Sequence, residues 1–156
     1  MKAAIRGDDG LTFADVARPV PGADDVLVRV RACALNRADL GMLAGQMHGN
    51  LGGAGTVLGL EWAGEVVECG ANVVHVKPGD RVMGSGKGAF AEYAVADRGR
   101  VSPLPQAPMS FEQATTLPIA LQTMHDALVT NGRLQPGESV LIQGASSGVG
   151  LMALQI

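Results

Sequence analysis

Residues 137–151 read Gly137-Glu138-Ser139-Val140-Leu141-Ile142-Gln143-Gly144-Ala145-Ser146-Ser147-Gly148-Val149-Gly150-Leu151. The run 139–143 is short and apolar, the pattern of a strand buried on both faces. A glycine-rich turn follows, and a helix is predicted over 151–156. Strand, glycine-rich turn and helix form the context in which such glycines carry meaning. A pyrophosphate needs backbone N–H groups at the positive end of a helix, and a Cβ at the closest approach would block it. Gly148 and Gly150 suit that approach and the packing of helix on strand. Gly144, Ser146, Ser147 and Val149 complete the candidate loop. An ordinary tight turn between a strand and a helix uses the same glycines, so the loop alone leaves both readings open.

What precedes the loop is mostly β. Residues 2–6 and 11–16 are predicted strands around a glycine-containing turn, and Pro19-Val20-Pro21-Gly22 then breaks regular structure. From Val26 the pattern alternates. Val26, Val28, Val30 and Ala32 fall on one face and Arg29 and Arg31 on the other, the period of a half-buried strand. A short helix is expected over 37–43, and a glycine-rich loop over 45–55. Strands are predicted over 57–69, around Arg81, over 89–95 and over 100–104, with Lys77-Pro78-Gly79-Asp80 as a turn. Short strands at this spacing point to a barrel or sandwich.

The character changes near Ser110. Ser110-Phe111-Glu112-Gln113 fits a capping box, in which the Ser hydroxyl accepts from the third backbone N–H and the Gln side chain reaches back. A helical region is expected to run to residue 130, broken at Pro118, with Asn131-Gly132 as a left-handed stop. Two domains follow from this reading: 1–115, mainly β, and 116–156, which carries the helical region and the glycine-rich turn.

Composition closes several function classes. Aromatic residues make up 3% of the 156, too few for the stacking platforms that a single-stranded nucleic-acid binder needs. A net charge of −3 gives no pull toward a phosphate backbone or an anionic membrane. No apolar stretch reaches the roughly 18 residues of a membrane span. The N-terminus, Met1-Lys2-Ala3-Ala4-Ile5-Arg6, lacks the apolar run of a signal peptide. Cys33 and Cys69 stand in no paired spacing, which suits a reducing compartment, the cytoplasm.

Several segments, in order, resemble the medium-chain dehydrogenase/reductase superfamily, to which the alcohol dehydrogenases belong. They are Ala34-Leu35-Asn36-Arg37-Ala38-Asp39-Leu40, Leu58-Gly59-Leu60-Glu61-Trp62-Ala63-Gly64-Glu65-Val66, Lys77 to Val82, Gly88-Ala89-Phe90-Ala91-Glu92-Tyr93, Leu117-Pro118 with Thr123, Gly137 to Ile142, and Gly144 to Gly150. Short-chain dehydrogenases have a similarly worded loop, but after their first strand; here a β-rich domain comes first. The resemblance implies a mainly β, GroES-like, partly open barrel with a few helices, followed by the first strand and helix start of a Rossmann domain.

In the zinc alcohol dehydrogenases of this superfamily a Cys stands where Asn36 is and a His where Leu60 is. Zinc takes thiolate, imidazole or carboxylate, so neither residue here can replace those ligands. Met83-Gly84-Ser85-Gly86-Lys87-Gly88 occupies the stretch of the four-cysteine structural zinc lobe. The chain therefore looks like the zinc-free quinone oxidoreductase branch, and no metal is expected.

That resemblance implies hydride transfer from NADPH or NADH to a small quinone or α,β-unsaturated carbonyl, with the protein orienting the cofactor and excluding water. Asn36 matches a polar family position at the cleft; it can contact substrate or nicotinamide, or cap the helix after it. Thr123 matches a threonine beside the nicotinamide; it can equally bond its own helix backbone. Glu61 is expected to pair with an Arg or cap backbone. Many quinone oxidoreductases have a tyrosine where this chain has Met47, and His48 beside it is expected to be a solvated loop residue. His75 and His125 have no ligand spacing. Cys33 is read as a buried strand residue, and Met83, Met109 and Met124 as core filler.

A dinucleotide fold also needs a residue about 20 positions past the loop to read the ribose. The parent protein is therefore expected to continue and be the enzyme. The present stretch is expected to be inactive alone, to bind cofactor poorly, and either to self-associate as a homodimer through 138–156 or to have that tail disordered. The alternative is a stand-alone GroES-like structural or binding domain, for which the glycine loop would be superfluous.

Overall fold

The alternating stretch from Val26 becomes the centre of the main sheet. The computed structural model describes residues 1–49, 51–105 and 108–156. A hairpin of β1 (Lys2–Gly7) and β2 (Gly10–Asp15) precedes β3 (Asp25–Cys33). Then come α1 (Arg37–Leu43), β4 (Glu61–Cys69), β5 (Arg81–Ser85), β6 (Tyr93–Asp97) and β7 (Val101–Pro103). The main sheet has the order β6-β3-β4-β5-β7 with every neighbouring pair antiparallel. β1 leans on two further segments through the bridges Ala3–Ala91 and Ile5–Val57. The Ala4 N–H donates to the Phe90 carbonyl at 2.8 Å and the Leu58 N–H to the Ala4 carbonyl at 2.9 Å. These bonds curl the sheet into the partly open, GroES-like barrel that the resemblance implied.

Side-chain parity on β3 decides what enters the core. Val26 and Val28 are fully buried, while Arg29 and Arg31 face out. Leu27 is buried as well, because the register between β3 and β4 shifts between Leu27 and Val28, and a bulge re-aims a side chain. Val26, Val28, Trp62, Val66, Val82 and Val101 pack together, each such large apolar side chain stabilising by about 1.5–3 kcal/mol. Trp62 lies opposite Gly84, whose missing Cβ would stand 2.7 Å from the indole. Only glycine lets the ring lie on β5.

The chain divides into two compact units, Met1–Thr116 and Leu117–Ile156. The first unit closes with α2 (Phe111–Ala114), which packs on β3 and β4. Its capping box forms as expected: the Ser110 hydroxyl accepts from the Gln113 N–H at 3.2 Å, and the Ser110 N–H donates to the Gln113 side chain at 2.9 Å. The second unit holds α3 (Pro118–His125), a wide π-type turn (Asp126–Asn131) and α4 (Gly148–Ala153), with α3 packed on α4. Pro118 breaks the helical region by starting α3 at its first position, where its missing N–H costs nothing.

Several expectations need correction. Residues 139–143 are not a strand; Val140 and Leu141 are 48% and 86% exposed. A parallel strand exists through its neighbours' hydrogen bonds, and no described strand pairs with this run. Gly132 is right-handed, with φ −70°, and Arg133 takes the left-handed position at φ 54°. The Leu134 N–H closes this turn on the Leu128 carbonyl at 2.9 Å. Gly132 serves crowding instead: a Cβ there would stand 2.6 Å from the Ala127 carbonyl oxygen. Cys33 is exposed, because parity on β3 places it with Arg29 and Arg31. Met83, Met109 and Met124 are only half-buried, while Met42 is 1% exposed and fills the core. The stretch 89–92 bonds β1 without being a regular strand, and the final helix begins at Gly148, ahead of Leu151.

Candidate functional site

Asn36 ends the excursion from β3 and begins α1. Its backbone is extended, at φ −118° and ψ 149°, as an N-cap requires. Its N–H donates to Asp39 Oδ2 at 2.7 Å, three residues on. Its side-chain Nδ2 turns elsewhere, donating to Glu61 Oε1 at 2.8 Å. Asn36 thus sits at the cap while its amide is engaged across the fold. Glu61 is the first residue of β4 and is 4% exposed. One partner of its carboxylate is the Asn36 amide.

Asp39 is the site residue that sequence reading passed over. It is 7% exposed, and its Oδ1 is buried with no hydrogen-bond partner among the described residues. Burial raises its carboxyl above the ordinary 3.8, against the opposing pull of the Asn36 N–H, the nearby Gly59 backbone and the charge of His48. The Asn-x-x-Asp spacing at the start of a helix was the available signal, a relative of the capping box. Leu58 and Leu60 are buried beside this cluster in sequence, and His48 and Met47 are exposed. His75 Nε2 lies 3.0 Å from the Val101 carbonyl oxygen, a structural contact. Among the described residues no group of three or more His, Cys, Asp or Glu could hold a metal ion.

The other expected site residues lie in the second unit. Thr123 is on α3, exposed. Residues 144–150 form a closed turn. Ser147 caps α4: its Oγ accepts from the Gly150 N–H at 3.0 Å and its hydroxyl donates to the Gly144 carbonyl at 2.8 Å. A Cβ at Gly150 would overlap the Gly144 carbonyl oxygen, whereas one at Gly148 would meet nothing within 4 Å. The space over Gly148 and the exposed Ser146 are what a phosphate would need. The Gly150 N–H is already taken within the turn.

No helix among the described residues is long and apolar enough to cross a membrane. Residues 22–106 match the alcohol dehydrogenase GroES-like domain. Among similar solved structures is the CurK enoyl reductase, 29% identical with a TM-score of 0.88, covering 99% of this chain and 50% of that one. Another is the quinone oxidoreductase of Coxiella burnetii, 32% identical with a TM-score of 0.83, covering 99% and 52%. A mycobacterial protein solved in complex with NADPH is 28% identical with a TM-score of 0.84, covering 99% and 49%. The chain thus spans about half of these structures. It spans 6%, 2% and 34% of three curated relatives to which it is 40% identical. With a matched barrel over more than half its length and oxidoreductases as structural neighbours, the chain belongs to the alcohol dehydrogenase GroES-like domain family, within the medium-chain dehydrogenase/reductase superfamily.

Proposed function

We propose that this chain is the N-terminal part of a zinc-free reductase that uses NADPH or NADH to reduce a quinone or an α,β-unsaturated carbonyl. The observation that carries the reading is the Asn36–Glu61 hydrogen bond. Where the zinc enzymes have a thiolate ligand, this chain has a neutral amide already bonded to a carboxylate, beside a buried Leu60. That donor set fits no Lewis-acid metal and suits a reaction driven by the nicotinamide itself. The neighbours named as quinone oxidoreductase and enoyl reductase support the same substrate range.

The cofactor, when bound, supplies a hydride to the electron-poor carbon, and a proton from another donor completes the reduction. The chain's own residues hold and shield. The Gly148 and Val149 N–H groups, with the Ser146 hydroxyl, are the groups for the pyrophosphate. Gly144, Ser147 and Gly150 keep that turn closed. Asn36 and Thr123 each match a family position at the nicotinamide, and each is assigned that contact on the resemblance alone. We assign the enzyme to the cytoplasm, as a homodimer.

The test is NADPH oxidation by the full-length protein with a panel of quinones and enones, with metal analysis of untagged material. We expect turnover with well under one zinc per chain. Replacing Thr123 with Val should lower kcat/KM about tenfold, the scale of one positioned polar contact. Stoichiometric zinc or unchanged Thr123→Val kinetics would remove the corresponding part of the reading.

A further inference from the structure

We propose that Glu61 is a positioning residue, whose buried carboxylate holds the amide of Asn36 in one of its two flip states and so sets what Asn36 presents to a ligand. This rests on the reductase reading above, in which Asn36 touches the ligand.

Asn36 is fixed at both ends by acidic residues. Its backbone N–H is held by Asp39 at 2.7 Å and its Nδ2 by Glu61 at 2.8 Å. The two anchors come from different places: Asp39 lies in the first turn of α1, whereas Glu61 lies 25 residues beyond Asn36. Glu61 opens β4, paired in register with Ser85 of β5, so its carboxylate rides on a rigid element. A capping asparagine needs no such partner. A cap faces helix N–H groups with its oxygen, and nothing in that role calls for a carboxylate against Nδ2.

Chemistry then selects the flip state. A carboxylate oxygen accepts hydrogen bonds. Turned toward Glu61, the Asn36 oxygen would meet another acceptor; turned away, Nδ2 donates to Glu61 Oε1 at 2.8 Å. At 4% exposure Glu61 is shielded from water, which strengthens that preference. Asn36 itself is half-buried; its oxygen is turned to the Asp39 N–H in the capping box, and its second Nδ2 proton remains for a ligand. Glu61 touches no reacting atom; it acts through Asn36.

A double-mutant cycle in the full-length protein tests this. Glu61→Leu should lower kcat/KM about tenfold, the scale of one misplaced hydrogen bond. In an Asn36→Ala background the same change should alter it by less than about twofold, because the residue it acts through is gone. Glu61→Gln can still accept from Nδ2 but also tolerates the flipped amide, so it should fall between wild type and Glu61→Leu. Melting curves should not follow that order. The same cycle read as the Kd for NADPH needs no substrate. In the 156-residue chain, nitrogen–proton correlation NMR should find one Asn36 Nδ2 proton shifted downfield and slow to exchange, and should lose both features in Glu61→Gln and Glu61→Leu. Additive effects in the cycle, or Asn36 amide signals indifferent to Glu61, would overturn the proposal. A full-length protein that oxidises NADPH with no quinone or enone, yet keeps the expected amide signals and Kd cycle, would remove the reductase reading and leave Glu61 in its role.

Discussion

The side-chain amide of Asn36 and the carboxylate of Glu61 meet at 2.8 Å, joining the start of α1 to the start of β4. Asn36→Ala deletes one donor to a buried carboxyl oxygen as well as a cap. It should destabilise the 156-residue chain by about 1–3 kcal/mol, more than the ~1 kcal/mol of a cap alone. Asn36→Ser, which keeps a capping hydroxyl, should recover only part of the loss. Urea unfolding of the three proteins checks this, and equal stability of the serine variant and wild type would mean that the Glu61 bond adds nothing.

The barrel was legible in the sequence because its cause is local. Val28 and Val30 alternate with Arg29 and Arg31, and parity fixes their faces whatever the partner strands are. The same parity, followed two residues further, would have placed Cys33 outside. The error came from judging the residue by type. The strand expected over 139–143 failed because its apolar run says nothing about a hydrogen-bonding neighbour. At the site, Asn36 was readable as cap or contact. Its bond to Glu61 was not, since a contact between residues 25 apart leaves no mark in a local pattern.

Asp39 should make stability depend on pH in a sense opposite to most carboxylates. Its folded pKa is raised above the ordinary 3.8, chiefly by burial. The folded state therefore binds this proton more tightly than the unfolded state. Its contribution is fully present below the ordinary value and is lost as pH rises through the raised one. At neutral pH the buried charge is a burden. Asp39→Asn keeps an acceptor for the Asn36 N–H and removes that charge, so it should melt higher than wild type at pH 7. The gap should close as pH falls through the window just above 3.8. Thermal melts across that range decide, and a gap that ignores pH would mean that Asp39 titrates normally.

Gly84→Ala tests the packing of the core. The new Cβ would stand 2.7 Å from both the Trp62 ring and the Arg100 carbonyl oxygen. Trp62 is wholly buried and has no free direction to retreat. Overpacking of this kind costs about 1–3 kcal/mol. The urea midpoint should fall with an unchanged slope, and the tryptophan emission should shift as the indole moves. A variant as stable as wild type would show that β5 can slide away from the ring.

The glycine turn offers two substitutions with opposite expectations, because its glycines are there for different reasons. Gly150 has no room: a Cβ would overlap the Gly144 carbonyl oxygen, which already accepts from the Ser147 hydroxyl at 2.8 Å. Gly150→Ala should push the turn apart and break the bond from the Gly150 N–H to Ser147. It should lower both the melting temperature and any affinity for NADPH. Gly148 has only open space beside it, and it sits at the first position of α4. Alanine there should be harmless to folding, and even mildly favourable to the helix. If that space is where a pyrophosphate approaches, the added methyl group stands in its way. Gly148→Ala should then keep the wild-type melting temperature while raising the Kd for NADPH in the full-length protein about tenfold, or about 1.4 kcal/mol. The pair separates structure from binding. Were Gly148→Ala neutral in both measurements, the turn would be an ordinary connection between a loop and a helix, and the phosphate would have to bind elsewhere.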